Sequence, residues 1–467
     1  MAQQENNKGI DKAIFRAYDI RGIYPTEFNE YSATLIGRVL SKRISEGEKV
    51  VVAMDGRTSS QKLKSALIEG LVSSGVHVVD CGMLPTPFLY FASRHLNIPN
   101  AFMITGSHNP KNYNGIKMII NNNPLYGRNI TALYEDIENL VDDTSDNEVE
   151  KEEVEEYENT IKDYVEVIKK NLDIDIESKI IIDCMNGVTG KVVKDVMGAF
   201  DINFKLINNN VDGSFPKHSP DPTKEEYLEE LKLTINEEGA DYGVAFDGDG
   251  DRLVLVKKNG ECIWPDELMI LFSKSILKKN KNSKIVYDVK CTRNLRLMIE
   301  SNGGVPIESR TGHSFIKKKI QDEYALLGGE LSGHIFFNDK WYGFDDGIYV
   351  FLRFVEIMTK ESELIKELNN LDKTYSTPEI DIEFDNIDHH SFMKEFKKLD
   401  IFKHYTISNI DGVKISDNDC WGLVRASNTS PKITLRFEAT TIEKLNNIKN
   451  EIKNAILKIN NKLDLPF

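Results

Sequence analysis

From Val50 the chain runs Val50-Val51-Val52-Ala53-Met54-Asp55-Gly56-Arg57-Thr58, an unbroken apolar stretch that ends in Asp. Such a run suits a β-strand covered on both faces. Two later segments share this grammar: Ile180-Ile181-Ile182-Asp183-Cys184-Met185-Asn186-Gly187 and Ile285-Val286-Tyr287-Asp288-Val289-Lys290-Cys291-Thr292. Apolar residues at helical spacing follow each one, at 61–74, 190–200 and 293–301. A second apolar strand in each unit then enters a Gly-rich polar loop. Phe102-Met103-Ile104 leads to Thr105-Gly106-Ser107-His108-Asn109-Pro110, and Val244-Ala245-Phe246 leads to Asp247-Gly248-Asp249-Gly250-Asp251-Arg252. Ala325-Leu326-Leu327 leads to Gly328-Gly329-Glu330-Leu331-Ser332-Gly333-His334. The pattern predicts three tandem α/β units; its rival is accidental reuse of α/β propensities. Open α/β sheets bind ligands at the carboxyl ends of their strands, so function is expected between domains.

Working outward, 467 residues correspond to about three domains at ~150 residues each, with a sizeable core. The 40% hydrophobic and 28% charged content is that of an ordinary globular chain. One boundary is expected in the acidic run 142–158, read as a solvated linker and helix face. A second follows the hairpin Leu253-Val254-Leu255-Val256-Lys257-Lys258-Asn259-Gly260, after which 266–277 is expected to be a helix capped by Asp266. A third lies between the amphipathic stretch 348–358 and Pro378. The remainder ends in a helix over 442–459 and does not repeat the earlier grammar. The expected domains are therefore 1–157, 158–261, 262–373 and a different fourth at 374–467.

A net charge of −15 repels nucleic acid and anionic lipid over most of the surface. An anionic substrate then requires basic groups concentrated at one place. Cys81, Cys184, Cys262, Cys291 and Cys420 are scattered and never form C-x-x-C, which fits a reducing cytoplasm. The polar start of the chain implies no export, and no run of about 18 apolar residues implies a membrane span.

Asp247, Asp249 and Asp251 alternate with Gly on one turn, a hard-oxygen arrangement suited to Mg²⁺. An EF-hand fails, because Arg252 stands where Gly is required and Lys258 where Glu is. A phosphatase-type Asp loop fits poorly at Asp251, and a purely structural turn leaves like charges unbalanced. Ser107 taken alone reads equally as a cap or a nucleophile. Beside a cation, its hydroxyl suits carriage of a phosphoryl group that Arg252 also contacts. Arg425-Ala426-Ser427-Asn428-Thr429-Ser430-Pro431 has the chemistry of a phosphate cradle. Glu330, Ser332 and His334 suit sugar hydroxyls, and His313 is either a general acid/base or a helix cap.

Together these loops resemble the α-D-phosphohexomutase family, most closely its bacterial phosphomannomutase/phosphoglucomutase branch. Residues 105–110 resemble the phosphoserine loop, 247–252 the metal loop, 329–334 the sugar-specificity loop and 425–431 the phosphate loop, in family order. Phe15-Arg16-Ala17-Tyr18-Asp19-Ile20-Arg21-Gly22 resembles the amino-terminal segment, which implies that Tyr18 and Arg21 line the cleft. The resemblance implies three similar α/β domains with mixed sheets and a different α+β carboxyl-terminal domain around a central cleft. It implies phosphorylation of Ser107, with Mg²⁺ held by Asp247, Asp249, Asp251 and a phospho-Ser107 oxygen. Lys117, in Asn114-Gly115-Ile116-Lys117, becomes an acid/base candidate beside His313, and Arg21 and Arg252 join the catalytic set. Lys290, Arg425, Ser427, Asn428 and Thr429 are expected to contact the phosphosugar, as are Glu330, Ser332 and His334.

The implied activity is reversible interconversion of hexose 6-phosphate and hexose 1-phosphate, for mannose and/or glucose. A hexose 1,6-bisphosphate serves as intermediate and activator. The loop reads Glu-Leu-Ser where Glu-Met-Ser is common; Leu331, where Gln is expected of a phosphoglucosamine mutase, favours mannose and glucose. That mutase, a metal-dependent sugar phosphatase and a non-catalytic phosphosugar sensor are the alternatives. A cytoplasmic monomer or weak homo-oligomer is expected.

Overall fold

Every residue from Val50 to Met54 is buried, and Lys49–Met54 pairs in parallel with a strand on either side. The structure, a computed structural model, describes residues 10–142, 152–383, 388–426, 432–463 and 465–467. Backbone packing divides the chain into two compact units, Met1–Leu268 with Ser332–Ser362, and Met269–Leu331 with Glu363–Phe467. The expected third domain is thus shared between the two units.

The first sheet of unit 1 comprises Ile20–Ile23 (β1), Lys49–Met54 (β2), His77–Met83 (β3), Asn100–Ile104 (β4), Tyr113–Ile120 (β5), Asn123–Pro124 (β6) and Val154–Glu156 (β7). Its order is β1-β5-β4-β2-β3-β7, with β6 on β5. β5 runs antiparallel to β4 and β1, so the sheet is mixed. The second sheet comprises Ile180–Asp183 (β8), Phe204–Ile207 (β9), Tyr242–Phe246 (β10), Leu253–Lys257 (β11) and Cys262–Ile263 (β12), in the order β12-β11-β10-β8-β9. β8 is parallel to β9 and β10, β10 is antiparallel to β11, and the expected hairpin joins β11 to β12, also antiparallel. Gly260 takes a positive φ of 84° in the turn between β11 and β12.

In unit 2, Lys284–Asp288 (β13) pairs in parallel with Val305–Ser309 (β14) and Leu327–Gly329 (β15). The short strand Ile335–Phe337 (β16) lies in the segment belonging to unit 1. A wholly antiparallel sheet follows: Tyr375–Ser376 (β17), Ile380–Glu383 (β18), Thr406–Ser408 (β19), Val413–Ser416 (β20), Cys420–Ala426 (β21) and Lys432–Ala439 (β22). The helices His389–Lys397 and Ile442–Ile459 cover it through Phe392, Phe396, Ile448 and Ile452.

The central strands β2, β8 and β13 each run into a buried Asp: Asp55, Asp183 and Asp288. Each anchors the turn that follows its strand. Asp55 accepts from Arg57 N at 3.0 Å, Asp183 from Met185 N at 2.8 Å, and Asp288 from the Cys291 thiol at 3.1 Å.

Four local expectations are corrected. The acidic run 142–158 is not wholly a linker, because Val154–Glu156 extends the first sheet in parallel with β3; its residues 143–151 lie outside those described. The strand expected at 325–327 begins at Leu327 and takes in Gly328 and Gly329. Neighbouring side chains crowd those glycines: a Cβ on Gly328 would meet Ile320 Cδ1 at 2.4 Å, and one on Gly329 Met269 Sδ at 2.5 Å. Asp266 does not cap its helix, which starts at Pro265, whose fixed φ suits a first helical position. Glu267 Oε2 instead accepts the Trp264 N–H at 2.9 Å. The helix expected over 190–200 divides into a 3₁₀ turn, Val188–Lys191, and a short helix, Val193–Gly198.

Candidate active site

In unit 1, the strands β4 and β10 deliver their loops to the same place. Thr105–Pro110 follows β4, and Asp247–Arg252 bridges β10 and β11. A Cβ on Gly248 would lie 2.5 Å from Ser107 O, so only glycine lets the two loops approach this closely. Ser107 itself adopts a left-handed φ of 49°, and its buried Oγ donates to Asp247 Oδ2 at 3.0 Å.

Asp247, Asp249 and Asp251 are fully buried, and each offers a carboxylate oxygen within 4.8 Å of the others. Asp249 Oδ1 and Asp251 Oδ1 are buried and accept no hydrogen bond. Converging hard oxygens with unused lone pairs fit a divalent cation. The carboxylates divide electrically. Burial, then Asp249 and Asp251, drives the Asp247 pKa well above the ordinary value. Burial also opposes ionisation of Asp249, but Lys117 prevails and holds that group well below the carboxylate range.

Lys117, buried on β5, donates to Asp249 Oδ2 at 2.7 Å and also to Asp251 Oδ2. Its desolvation is outweighed by these carboxylates, which keep its pKa well above that of a free lysine. Arg252 Nε lies 3.8 Å from Asp247 Oδ2 and donates to His334 Nε2 at 2.9 Å. Because His334 Nε2 is thereby an acceptor, its proton belongs on Nδ1, which faces Asp345 Oδ2 at 2.9 Å and Asp251 Oδ1 at 3.6 Å. Burial lowers the pKa of His334 and, still further, that of His108, which Arg252 and Arg21 also oppose. His108 Nδ1 is 3.3 Å from Ser107 Oγ. Arg21, buried on β1, donates to Gly106 O at 3.3 Å, to Asn109 and to Asp19. Tyr18 is half-buried just before β1.

Unit 2 gathers a different set. Lys290 follows β13, is buried, and pairs with Glu379 Oε1 at 2.7 Å. Desolvation opposes its charge, but Glu379 and Asp288 raise its pKa; Glu379 in turn is held at about 2. Arg436 Nη1 donates to Lys290 O at 2.9 Å. Arg425, at the end of β21, donates from Nε to Asp411 Oδ2 at 3.0 Å, and Asp411 also accepts the Thr311 N–H. Glu330 is buried and accepts the Gly312 N–H at 2.5 Å, directly before His313 opens the helix His313–Glu323. The loop 329–334 crosses the unit boundary: Glu330 belongs to unit 2, and the half-buried Ser332 to unit 1 with His334. Ser427, Asn428 and Thr429 lie outside the described residues.

Family models for the phosphoglucomutase/phosphomannomutase alpha/beta/alpha domains I, II and III match residues 12–145, 155–260 and 264–375, and the C-terminal domain model matches 365–455. A phosphomannomutase/phosphoglucomutase of Pseudomonas syringae pv. tomato is 41% identical over 461 residues, covering 98% of both chains. The chain belongs to the α-D-phosphohexomutase family. A phosphoglucomutase of Neisseria meningitidis is 38% identical over 465 residues, covering 98% of this chain and 99% of its own. The crystal structure of a phosphoglucomutase/phosphomannomutase family protein from Burkholderia thailandensis superposes with a TM-score of 0.91 at 37% identity, covering 98% of this chain and all of that one.

For this phosphohexomutase, the sequence motifs omit several residues that the fold brings to the loops. Thr86, which opens the helix Thr86–His95, donates from Oγ1 to Asp249 Oδ2 at 2.6 Å. Asp345 holds His334, and Asp411 and Glu379 hold the cations of unit 2. Asp55 and Arg57 engage the serine loop. Only Asp55 carried a local signal, as the end of a strand; the others are joined by long-range contacts. None of the five cysteines is in a disulfide, and among the described residues no helix is long and apolar enough to cross a membrane.

Proposed function

We propose that this chain interconverts hexose 6-phosphates and hexose 1-phosphates, of mannose and/or glucose, through a phosphoserine at Ser107 and a hexose 1,6-bisphosphate. It belongs to an isomerase family, and the named relatives are phosphomannomutases and phosphoglucomutases. The observation that carries the reading is the hydrogen bond from Ser107 Oγ to Asp247, inside a buried group of three carboxylates. A hydroxyl so placed suits phosphoryl carriage beside a cation.

Asp247, Asp249, Asp251 and a phospho-Ser107 oxygen would hold Mg²⁺, which neutralises charge on the phosphoryl oxygens when bound. In the first half-reaction, the free hydroxyl oxygen of the hexose monophosphate bonds to the phosphorus of phospho-Ser107. The Oγ–P bond breaks, Oγ keeps the electron pair, and the sugar hydroxyl gives its proton to a base. The second half reverses this from the opposite end of the bisphosphate and restores phospho-Ser107. Lys117 and His313 are the acid/base candidates, and Arg21 and Arg252 steady the transferring group electrostatically. Tyr18, Lys290, Glu330, Ser332, His334, Arg425, Ser427, Asn428 and Thr429 bind the phosphosugar. The four segments 1–157, 158–261, 262–373 and 374–467 act as domains of a cytoplasmic monomer or weak homo-oligomer.

The test supplies catalytic hexose 1,6-bisphosphate and compares turnover of mannose, glucose and glucosamine 1-phosphates, with Ser107→Ala alongside. Ser107→Ala is expected to take up no phosphoryl group and to lose about a thousandfold or more in turnover. Full turnover by that variant removes the reading. Faster turnover of the glucosamine substrate transfers the activity to the alternative sugar.

A further inference from the structure

We infer that Arg57 is a positioning residue for phosphoryl transfer, holding the backbone of the Ser107 loop in the conformation that presents the hydroxyl to Asp247. The inference rests on the role proposed for Ser107 and concerns a residue that does not touch the reacting oxygen.

A guanidinium has five N–H donors in a rigid plane. In Arg57 all five find acceptors on or beside one loop. Nη2 donates to Ser107 O at 2.6 Å and Asn109 O at 2.7 Å. Nη1 donates to Pro110 O at 2.7 Å and Tyr113 O at 3.1 Å. Nε donates to Asp55 Oδ2 at 3.2 Å. The Arg57 side chain is fully buried, and the Phe215 ring lies 5.0 Å from its Cζ.

Four carbonyl dipoles aimed at one point repel unless a cation occupies it, so this loop conformation depends on the charge at its centre. Asp55 completes the arrangement from the other side. It accepts from Thr105 Oγ1 at 2.9 Å and Gly106 N at 3.0 Å while bonded to Arg57. The pair therefore brackets Ser107 through its own carbonyl and through the two residues before it.

Two backbone features show what is being held. Ser107 has a left-handed φ, a region that a residue with a Cβ enters only under constraint from its surroundings. Gly106 admits no side chain, because a Cβ there would lie 2.4 Å from Arg57 Nε and 2.5 Å from Cζ. Lysine can supply the charge but not the planar fork, so Arg57→Lys separates the two contributions.

A displacement of about 1 Å at a reacting group costs about a hundredfold in rate. For Arg57→Lys, the expected result is therefore a fall of about a hundredfold in kcat and in the rate of Ser107 phosphorylation. KM for the hexose phosphate should stay within about threefold, since the Arg57 donors go to Asp55 and to backbone carbonyls between Ser107 and Tyr113. The experiment measures kcat, KM, Ser107 phosphorylation by intact mass, and thermal unfolding for wild type and Arg57→Lys. Turnover is normalised to protein that can be phosphorylated. A residue needed for folding alone lowers the melting temperature and the competent fraction, leaving normalised kcat unchanged; that result overturns the inference. If Arg57→Lys fails to unfold cooperatively, Asp55→Asn takes its place, since it retains the guanidinium and removes the charge that holds its Nε. The same kcat loss is expected there, and wild-type kcat overturns the inference. A wild-type enzyme that never acquires a phosphoryl group on Ser107 removes the functional reading and this inference together; phosphorylated wild type with wild-type-like variants removes this inference alone.

Discussion

Lys117 Nζ lies 2.7 Å from Asp249 Oδ2, and both side chains are buried. With Arg252, this lysine balances part of the charge on three converging carboxylates. Removing one member of a buried ion pair is typically destabilising by about 3–5 kcal/mol, because the partner stays buried without compensation. Lys117→Met is therefore expected to melt several degrees below wild type in EDTA. Added Mg²⁺ should raise its melting temperature by more than it raises that of wild type, since the cation meets a larger unbalanced charge. Equal melting temperatures in EDTA would contradict the charge balance described here.

Asp346 provides a pH prediction. It caps the helix Gly347–Lys360 through the Tyr349 N–H at 3.0 Å and accepts the Tyr164 hydroxyl at 2.7 Å. Burial nevertheless raises its pKa to about 7. A raised folded-state pKa adds stability that is complete below the unfolded value and is lost as pH rises through the folded one. Between pH 5 and pH 8.5 the loss is on the order of 2 kcal/mol. Asp346→Asn keeps a capping oxygen and mimics the neutral acid. Its lead over wild type in thermal unfolding should widen from pH 5 to pH 8.5; parallel profiles across that range would rule the assignment out.

Glu379 competes for the cation that the proposed function gives to the phosphosugar. Its carboxylate sits 2.7 Å from Lys290 and is held at a pKa of about 2 by Lys290, with help from Arg425 and Arg436 once its own burial is overcome. Glu379→Gln leaves the site more positive. KM for hexose phosphates should fall about three- to tenfold, with the gain shrinking as ionic strength rises. An increase in KM would mean that Glu379 serves to hold Lys290 in place.

How far the sequence could be read depended on the range of the interactions concerned. The helices Arg293–Ser301 and Ile442–Ile459 were legible to the residue because each start carries a local device: Thr292 accepts from Asn294 N, and Thr441 from Lys444 N. The acidic triplet was visible for a similar reason, since alternation with Gly puts it on one turn. Val154–Glu156 escaped notice because its pairing partner β3 supplies the order that its exposed side chains, two of them charged, do not. Gly328 and Gly329 looked like loop because the packing that explains them comes from Ile320 and Met269. Arg57 reaches carbonyls 50 to 56 positions away, and no local pattern announces that.

Thr86 lies 163 positions from Asp249 in sequence, yet its Oγ1 donates to Asp249 Oδ2 at 2.6 Å. The same carboxylate oxygen accepts from Thr105 Oγ1 at 3.1 Å and from Lys117. These donors fix one face of the carboxylate and leave Oδ1, which accepts no hydrogen bond, directed away from them. If Asp249 is a metal ligand, Thr86 sets its orientation, and the loss of such outer contacts typically weakens metal affinity by about 10- to 100-fold. Thr86→Val removes the hydroxyl at nearly constant volume and keeps the Thr86 N–H bond to Asp249 O at 2.9 Å. The Mg²⁺ concentration for half-maximal turnover should rise about tenfold, while KM for the sugar phosphate changes little and Thr86→Ser restores the wild-type value. An unchanged Mg²⁺ requirement in Thr86→Val would show that Asp249 needs no support from this hydroxyl, since the substitution deletes one donor and leaves Thr105 and Lys117 in place.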